Sequence, residues 1–327
     1  MKNYTKKALL FTFIGSSFCL LILDSSRCIR YASQGLLIWF DKMIPTLFPF
    51  MVLSGFMVRS KLSTKLTFLF YPLCKLFRIS SPMAYGIIMG FFCGFPMGAK
   101  VICDLMETNQ ITKKQGEYLL AFNNNIGPAY LLGYVYLLFP DPLNSLYLLI
   151  FYAIPFCYGF FLRFHPSYGQ MEISRTEAFF QRETEPAPSM QSCCYYSIVG
   201  ALQQINLLGG CMILFNCLQI YPDYFLQILQ RFFSSLKLTP FLPGILSSLI
   251  EIGGGLIQFN QSIKGNPSFF FRPLLFSLLT LGGLSCICQT WFILEKTKLS
   301  IKAYFIHKIN QSILIFLILC QVTKMLQ

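Results

Sequence analysis

The chain is written in long apolar runs, not in alternating or one-sided patterns. Ala8 to Leu23, Ile44 to Val58, Tyr118 to Phe139, Ser145 to Phe164, Ile198 to Ile220, Pro273 to Leu294 and Tyr304 to Val322 are each almost free of charge. These runs approach the ~20 residues a helix needs to cross a ~30 Å hydrocarbon slab. The pattern predicts an all-α, polytopic membrane protein.

The interruptions recur in the same order twice, which predicts two related halves. Tyr31 to Val58 carries Pro45 and Pro49, and Ile198 to Ile220 carries Gly209 and Gly210, each read as an interruption. A short aromatic, cationic segment follows in each half, Leu66 to Arg78 and Tyr224 to Lys237, suited to lie in the membrane interface. Then comes a proline, Pro82 or Pro240, and an apolar stretch broken by Gly94 to Gly98 or by Gly253 to Gly255. Both stretches read as re-entrant helical hairpins. Next is a spanning run with a weak point, Asn123 to Pro128 or Gly282-Gly283, and then a last span beginning at Ser145 or Tyr304. Pro82 and Pro240 lie 158 residues apart (240 − 82), Gly127 and Gly282 155 (282 − 127), and Ser145 and Tyr304 159 (304 − 145). A hairpin returns to its own side, so each half crosses three times and the second half is expected to be inverted. The expected organisation is a transmembrane anchor at 1–24, a first gate-type repeat at 25–164, a cytoplasmic-side linker at 165–192 and a second, inverted repeat at 193–327.

Composition agrees with the pattern, since 55% of residues are hydrophobic and 12% charged, too few to coat a soluble globule. The net charge of +13 does not point to nucleic acid, because Lys and Arg stand in short clusters between apolar runs. With the N-terminus inside, Arg59, Lys61, Lys65, Lys113, Lys114, Arg175, Arg182, Lys296, Lys298 and Lys302 gather on the inner face, while Arg27, Arg30, Lys264 and Arg272 fall outside. Lys2, Lys6 and Lys7 precede the first run, yet no A-x-A-like cleavage site follows, so the run is expected to stay as an anchor. The thirteen cysteines lie mostly singly inside apolar runs, and with two histidines no metal site is expected. No cofactor and no catalytic residue is expected either, as neither H-E-x-x-H nor G-x-S-x-G occurs.

Candidate chemistry sits at the breaks. Irregular backbone at membrane depth survives only where protein or a watered cavity supplies hydrogen-bond partners. Four broken elements therefore imply a cavity, and half-helix N-termini there favour an anionic group. Gly94, Phe95, Pro96 and Gly98 form the first tip. Lys100, just beyond it, reads as a counter-charge for an anionic solute or as a partner of Asp104 four residues on. Asn123, Asn124, Asn125 and Gly127 read as polar recognition groups or as helix caps. Glu251, just before the second glycine break, reads as a site for a coupling ion, Na+ or H+, or as a structural hydrogen-bonding group, and with Gly253, Gly254, Ser285 and Gln289 it is expected among the substrate-binding residues.

At these residues the sequence resembles the YlbJ-type sporulation integral membrane proteins, which share a nucleoside-recognition or gate domain and are similar to concentrative nucleoside transporters. The resemblance rests on Ile44 to Phe50, on Gly94-Phe95-Pro96-Met97-Gly98-Ala99-Lys100, on Leu120 to Pro128, on Glu251 with its glycines, and on Gly282 to Ser285 with Gln289. It spans nearly the whole chain. Departures are Ile252-Gly253, where a small polar residue is expected, and Cys286 to Cys288, where a histidine is expected. The resemblance implies a transporter of a small polar or anionic solute in the mother-cell or forespore membrane. Dipicolinic acid is the implied solute and cortex formation the implied process. A nucleoside transporter and a non-transporting envelope scaffold are the alternatives. The expected partners are the solute, membrane lipid and other sporulation membrane proteins, with no nucleic acid.

Overall fold

The computed structural model describes residues 2–62, 67–139, 145–169, 189–232, 241–263 and 270–326. Among them every regular element is helical. In chain order these are α1 (Lys2–Leu23), α2 (Ser25–Arg59), α3 (Thr67–Phe77), α4 (Ser81–Cys93), α5 (Met97–Glu107), α6 (Lys113–Asn123), α7 (128–138) and α8 (Ser145–Leu162). A single short turn at Pro166–Gly169 is followed by α9 (Met190–Cys217), α10 (Ile220–Phe232), α11 (Leu242–Ile250), α12 (Ile252–Ile263), α13 (Phe271–Leu281), α14 (Gly283–Leu294) and α15 (Ile301–Leu326). Pro240, the loop 140–144 and most of the expected linker lie outside the described residues.

Ser25–Arg59, Ser145–Leu162, Met190–Phe232, Phe271–Leu294 and Ile301–Leu326 are each long and apolar enough to cross a membrane. Their outward faces carry exposed apolar side chains such as Phe50, Leu149, Phe161 and Trp291, a surface that water would not tolerate and lipid accepts. The protein is a multi-pass integral membrane protein.

Helix starts and stops follow local chemistry. Thr112 and Gln115 form a capping box that opens α6, the Thr112 hydroxyl accepting from Gln115 N at 3.3 Å and Gln115 Oε1 from Thr112 N at 2.8 Å. Pro82 and Pro243 stand in the first turns of α4 and α11, where a missing N–H is harmless. In α2 the prolines do not break the helix as expected. A wide π turn at Trp39–Met43 absorbs Pro45, and the helix continues through Pro49. Gly209 and Gly210 likewise do not interrupt α9, which is continuous. Gly209 instead makes room for the Trp39 ring, 2.4 Å from where a Cβ would stand, and Trp39 Nε1 donates to Ile205 O at 2.8 Å. Those two residues lock α2 against α9.

Two helical hairpins dip into this frame. Their arms are antiparallel: Gly86 faces Leu105 in α4/α5, while Gly244 faces Phe259 and Gly255 faces Ser248 in α11/α12. Tyr71–Phe77 of α3 meets α4 at 101°. The second hairpin turns at Glu251, which is extended, and not at Gly253 to Gly255 as expected. Those glycines lie in the first turn of α12, where their missing side chains let the arm close in: a Cβ at Gly255 would stand 2.4 Å from the Ser248 backbone. Around the hairpins, α6 packs on α8 through Tyr118 Oη to Gly159 O at 2.9 Å, and α13 on α15 through Ser277 and Ser312 at 2.8 Å.

Candidate solute site between the helix breaks

The first hairpin tip is built on Gly94, whose φ of +76° suits glycine, and on a cis bond between Phe95 and Pro96. It sits directly on the break between α6 and α7. A Cβ at Gly94 would fall 2.1 Å from Gly127 N, and Cβ atoms at Gly90 and Gly98 would fall 2.3 and 2.5 Å from Asn123 O. Backbone therefore meets backbone, which only glycine at these positions permits.

The three asparagines are all buried and divide the work. Asn123 Nδ2 donates to Gly86 O at 2.6 Å, tying the break to α4. Asn124 Oδ1 accepts from Ala99 N at 3.3 Å in the first turn of α5, and Asn124 Nδ2 reaches Thr290 Oγ1 and Tyr304 Oη at 3.0 Å each. This one amide joins the first hairpin to α14 and α15. Asn125 Oδ1 accepts from Lys308 Nζ at 2.8 Å. Gln311 Nε2 donates to Ala121 O at 2.6 Å, satisfying a carbonyl that the break leaves unpaired.

In the second hairpin, Glu251 is buried, and its Oε2 accepts from Gly254 N at 2.6 Å and from Asn216 Nδ2 at 3.1 Å. Tyr134 Oη donates to Gly253 O at 2.7 Å, so α7 holds this hairpin as the first hairpin holds the α6/α7 break. The break between α13 and α14 carries two left-handed glycines, Gly282 and Gly283. The Phe95 ring lies 3.0 Å from where a Gly282 Cβ would be, and Ser248 O lies 2.7 Å from the corresponding point at Gly283. Both hairpins thus press on that break.

A cavity of about 40 Å³, room for a water molecule or two, lies where these parts meet. Phe95, Gly127, Glu251 and Gln289 line it together with apolar side chains of α2 and α9, with Tyr130 and with Cys286. Gly94, Pro96, Gly98, Asn123, Asn124, Asn125, Gly253, Gly254 and Ser285 are not among its lining residues. Ser285 accepts from Gln289 Nε2 at 3.0 Å. Lys100 is likewise not among the lining residues, and it pairs with Asp104 at 2.5 Å on α5.

A second cation, Lys308 of α15, is only 1% exposed and stands next to the cavity's lining residue Phe95 without itself being among the lining residues. Its Nζ lies 4.9 Å from the centroid of the Phe95 ring, a residue that lines the cavity, and Asn125 Oδ1 is its hydrogen-bond acceptor. No carboxylate pairs with it among the described residues. Sequence reasoning passed over Lys308, Asn216, Gln219, Tyr130 and Tyr134. Lys308 had a visible sign, for it stands in a stretch from Ile301 to Leu326 without a single acidic residue.

Over 311 aligned residues the chain is 25% identical to the sporulation integral membrane protein YlbJ of Bacillus subtilis strain 168, across 86% of this chain and 74% of that protein. The chain is YlbJ-like. No family model matches it, and no solved structure does.

Proposed function

We propose that this protein carries a small anionic solute across a membrane during endospore formation, dipicolinic acid being the solute tested first. The sporulation context rests on the YlbJ similarity. The anionic class rests on Lys308. A buried ammonium whose neighbours are one amide oxygen and one aromatic face lacks a counter-charge, and in a low-dielectric interior that costs several kcal/mol. An incoming carboxylate supplies the missing partner. Phe95, at a hairpin tip, is the side chain that would withdraw to admit it.

The small cavity suits a closed state in an alternating-access cycle, in which the halves 25–164 and 193–327, related by inversion, rock about the helix breaks. The solute would exchange for Phe95 over Lys308 when the hairpin tip swings.

The test is uptake of labelled dipicolinate into proteoliposomes holding the purified chain. Protein-dependent uptake that is lost in Lys308→Met and partly kept in Lys308→Arg is the expected outcome. Uptake equal to that of protein-free vesicles, with insertion confirmed by protease protection, sinks the proposal for this solute. A nucleoside that competes where dipicolinate does not would replace it.

A further inference from the structure

The outward faces of α2 and α9 are apolar toward both ends and polar in the middle. Along α2, Leu36, Leu37 and Phe40 are exposed before this middle and Phe50 and Leu53 after it, and between them Asp41 and Lys42 are exposed as well. Along α9, exposed Ile198 and Leu202 precede exposed Gln203 and Asn206, and exposed Leu214 follows. None of these four polar side chains has a hydrogen-bond or ion-pair partner among the described residues, and Oε1 of the neighbouring Gln204 is buried without one. Asp41 and Lys42 do not neutralise each other, because side chains one residue apart on a helix do not face each other.

Their depth makes this costly. Arg30 and Arg59 stand 29 residues apart on α2 (59 − 30), which at 1.5 Å per residue is about 44 Å, the thickness of a bilayer with its headgroup layers. Asp41 and Lys42 then lie about 4–5 Å from the bilayer centre, and Met43 and Leu47 of the same stretch line the central cavity. α9 runs antiparallel to α2, with Asn216 against Gly35, the Trp39 ring against Gly209 and Ser197 against Gly55. That pairing sets Asn206 at the depth of Asp41 and Lys42. From there neither a lysine stem nor the shorter aspartate reaches the headgroups. Charged groups at such depth face protein or water, and amides there pair across helices. An exposed band of this kind marks a surface that another protein covers.

We infer that the α2/α9 face is the contact between two copies of this chain, related by a twofold axis along the membrane normal. Copies inserted in the same orientation carry the same residues at the same depth, so the twofold brings Asp41 of one copy to Lys42 of the other, and the reverse. The patch has one charge of each sign, and a second copy cancels both, whereas a partner of single charge would leave one unpaired. Gln203 and Asn206 each donate and accept, so they too can pair with themselves across the axis. Gly210, one turn beyond Asn206, has open space where a Cβ would stand, which lets the second helix come close. The anchor α1 does not serve instead, since no charged residue lies between Lys7 and Asp24. This contact is independent of the transport reading.

The test is the mass of the purified full-length chain by light scattering, in detergent and in lipid nanodiscs. Twice the 37.5 kDa of one chain is expected. Asp41→Lys gives a patch with two cations and Lys42→Asp one with two anions, so each variant alone should be monomeric. Co-expressed under different affinity tags, the two variants should copurify as a mixed dimer. Gln203→Leu with Asn206→Leu suits lipid better than the parent sequence, and should weaken the dimer about 10-fold while the chain still folds. A monomeric parent in both media, or a trimer or larger ring, overturns the inference. So do charge variants that fold, by circular dichroism, yet fail to recombine. If the charge variants do not fold, the leucine pair decides, and a dimer of unchanged affinity there overturns it as well.

Discussion

Replacing Lys308 by methionine separates binding from architecture, because the two roles carry opposite signs at this position. Methionine keeps the length and volume of the side chain but removes the ammonium. Folding loses the bond to Asn125 Oδ1, about 1.5–3 kcal/mol for a charged donor, and the contact with the Phe95 ring, worth about 2 kcal/mol when desolvated. Against that, the penalty for burying an uncompensated charge, several kcal/mol, disappears. The terms nearly cancel, so the unfolding free energy should stay within about 2 kcal/mol of the parent chain. Solute binding has no such compensation. Loss of a charge-assisted hydrogen bond to a carboxylate, about 1.5–3 kcal/mol, lowers apparent affinity roughly 10- to 150-fold. Thermal unfolding in detergent and the concentration dependence of uptake in proteoliposomes read the two quantities on one preparation. Affinity within twofold of the parent would refute the anion-binding role. A destabilisation of about 4 kcal/mol or more would assign Lys308 to the scaffold.

Three further outcomes follow from the packing. Removing the Lys100 and Asp104 pair together, as Lys100→Met with Asp104→Leu, should leave uptake within about threefold of the parent, since a paired charge off the cavity wall offers little binding energy; uptake assays decide. Gly255→Ala would drive a Cβ to 2.4 Å from the Ser248 backbone, splaying the second hairpin at a cost of about 1–3 kcal/mol, seen as a lowered unfolding midpoint. Gln311→Leu strands the Ala121 carbonyl at the α6/α7 break and should cost about 1–3 kcal/mol, whereas Gln311→Glu, protonated and able to donate, should recover part of it.

Some of this was readable along the chain and some was not. The break at Gly94 to Pro96 and the one at Gly282-Gly283 coincide with glycines because those positions are left-handed, a local demand that a sequence displays openly. Asn123 to Pro128 was equally plain, since a proline after polar residues ends a helix locally. Glycines required by a distant neighbour look the same and mislead. Gly209 exists for the Trp39 ring, and Gly255 for the Ser248 backbone, so neither breaks a helix. Lys100 drew attention because it stands beside a conspicuous motif, yet Asp104 one turn away neutralises it. Lys308 meets Asn125 across 183 residues, a contact that tertiary packing alone creates. Asn216 and Tyr130 belong to the same class: their polar ends matter only because α9 and α7 converge on Glu251.

The central claim, a solute site that opens to each side of the membrane in turn, is tested most directly by counterflow. Vesicles containing the chain are loaded with unlabelled dipicolinate and diluted into a trace of labelled dipicolinate, with no ion gradient imposed. A carrier with one alternating site should draw label inward to a transient peak above the equilibrium level, and Lys308→Met should flatten that peak. Label that only rises slowly to equilibrium, as in vesicles without protein, would contradict the account.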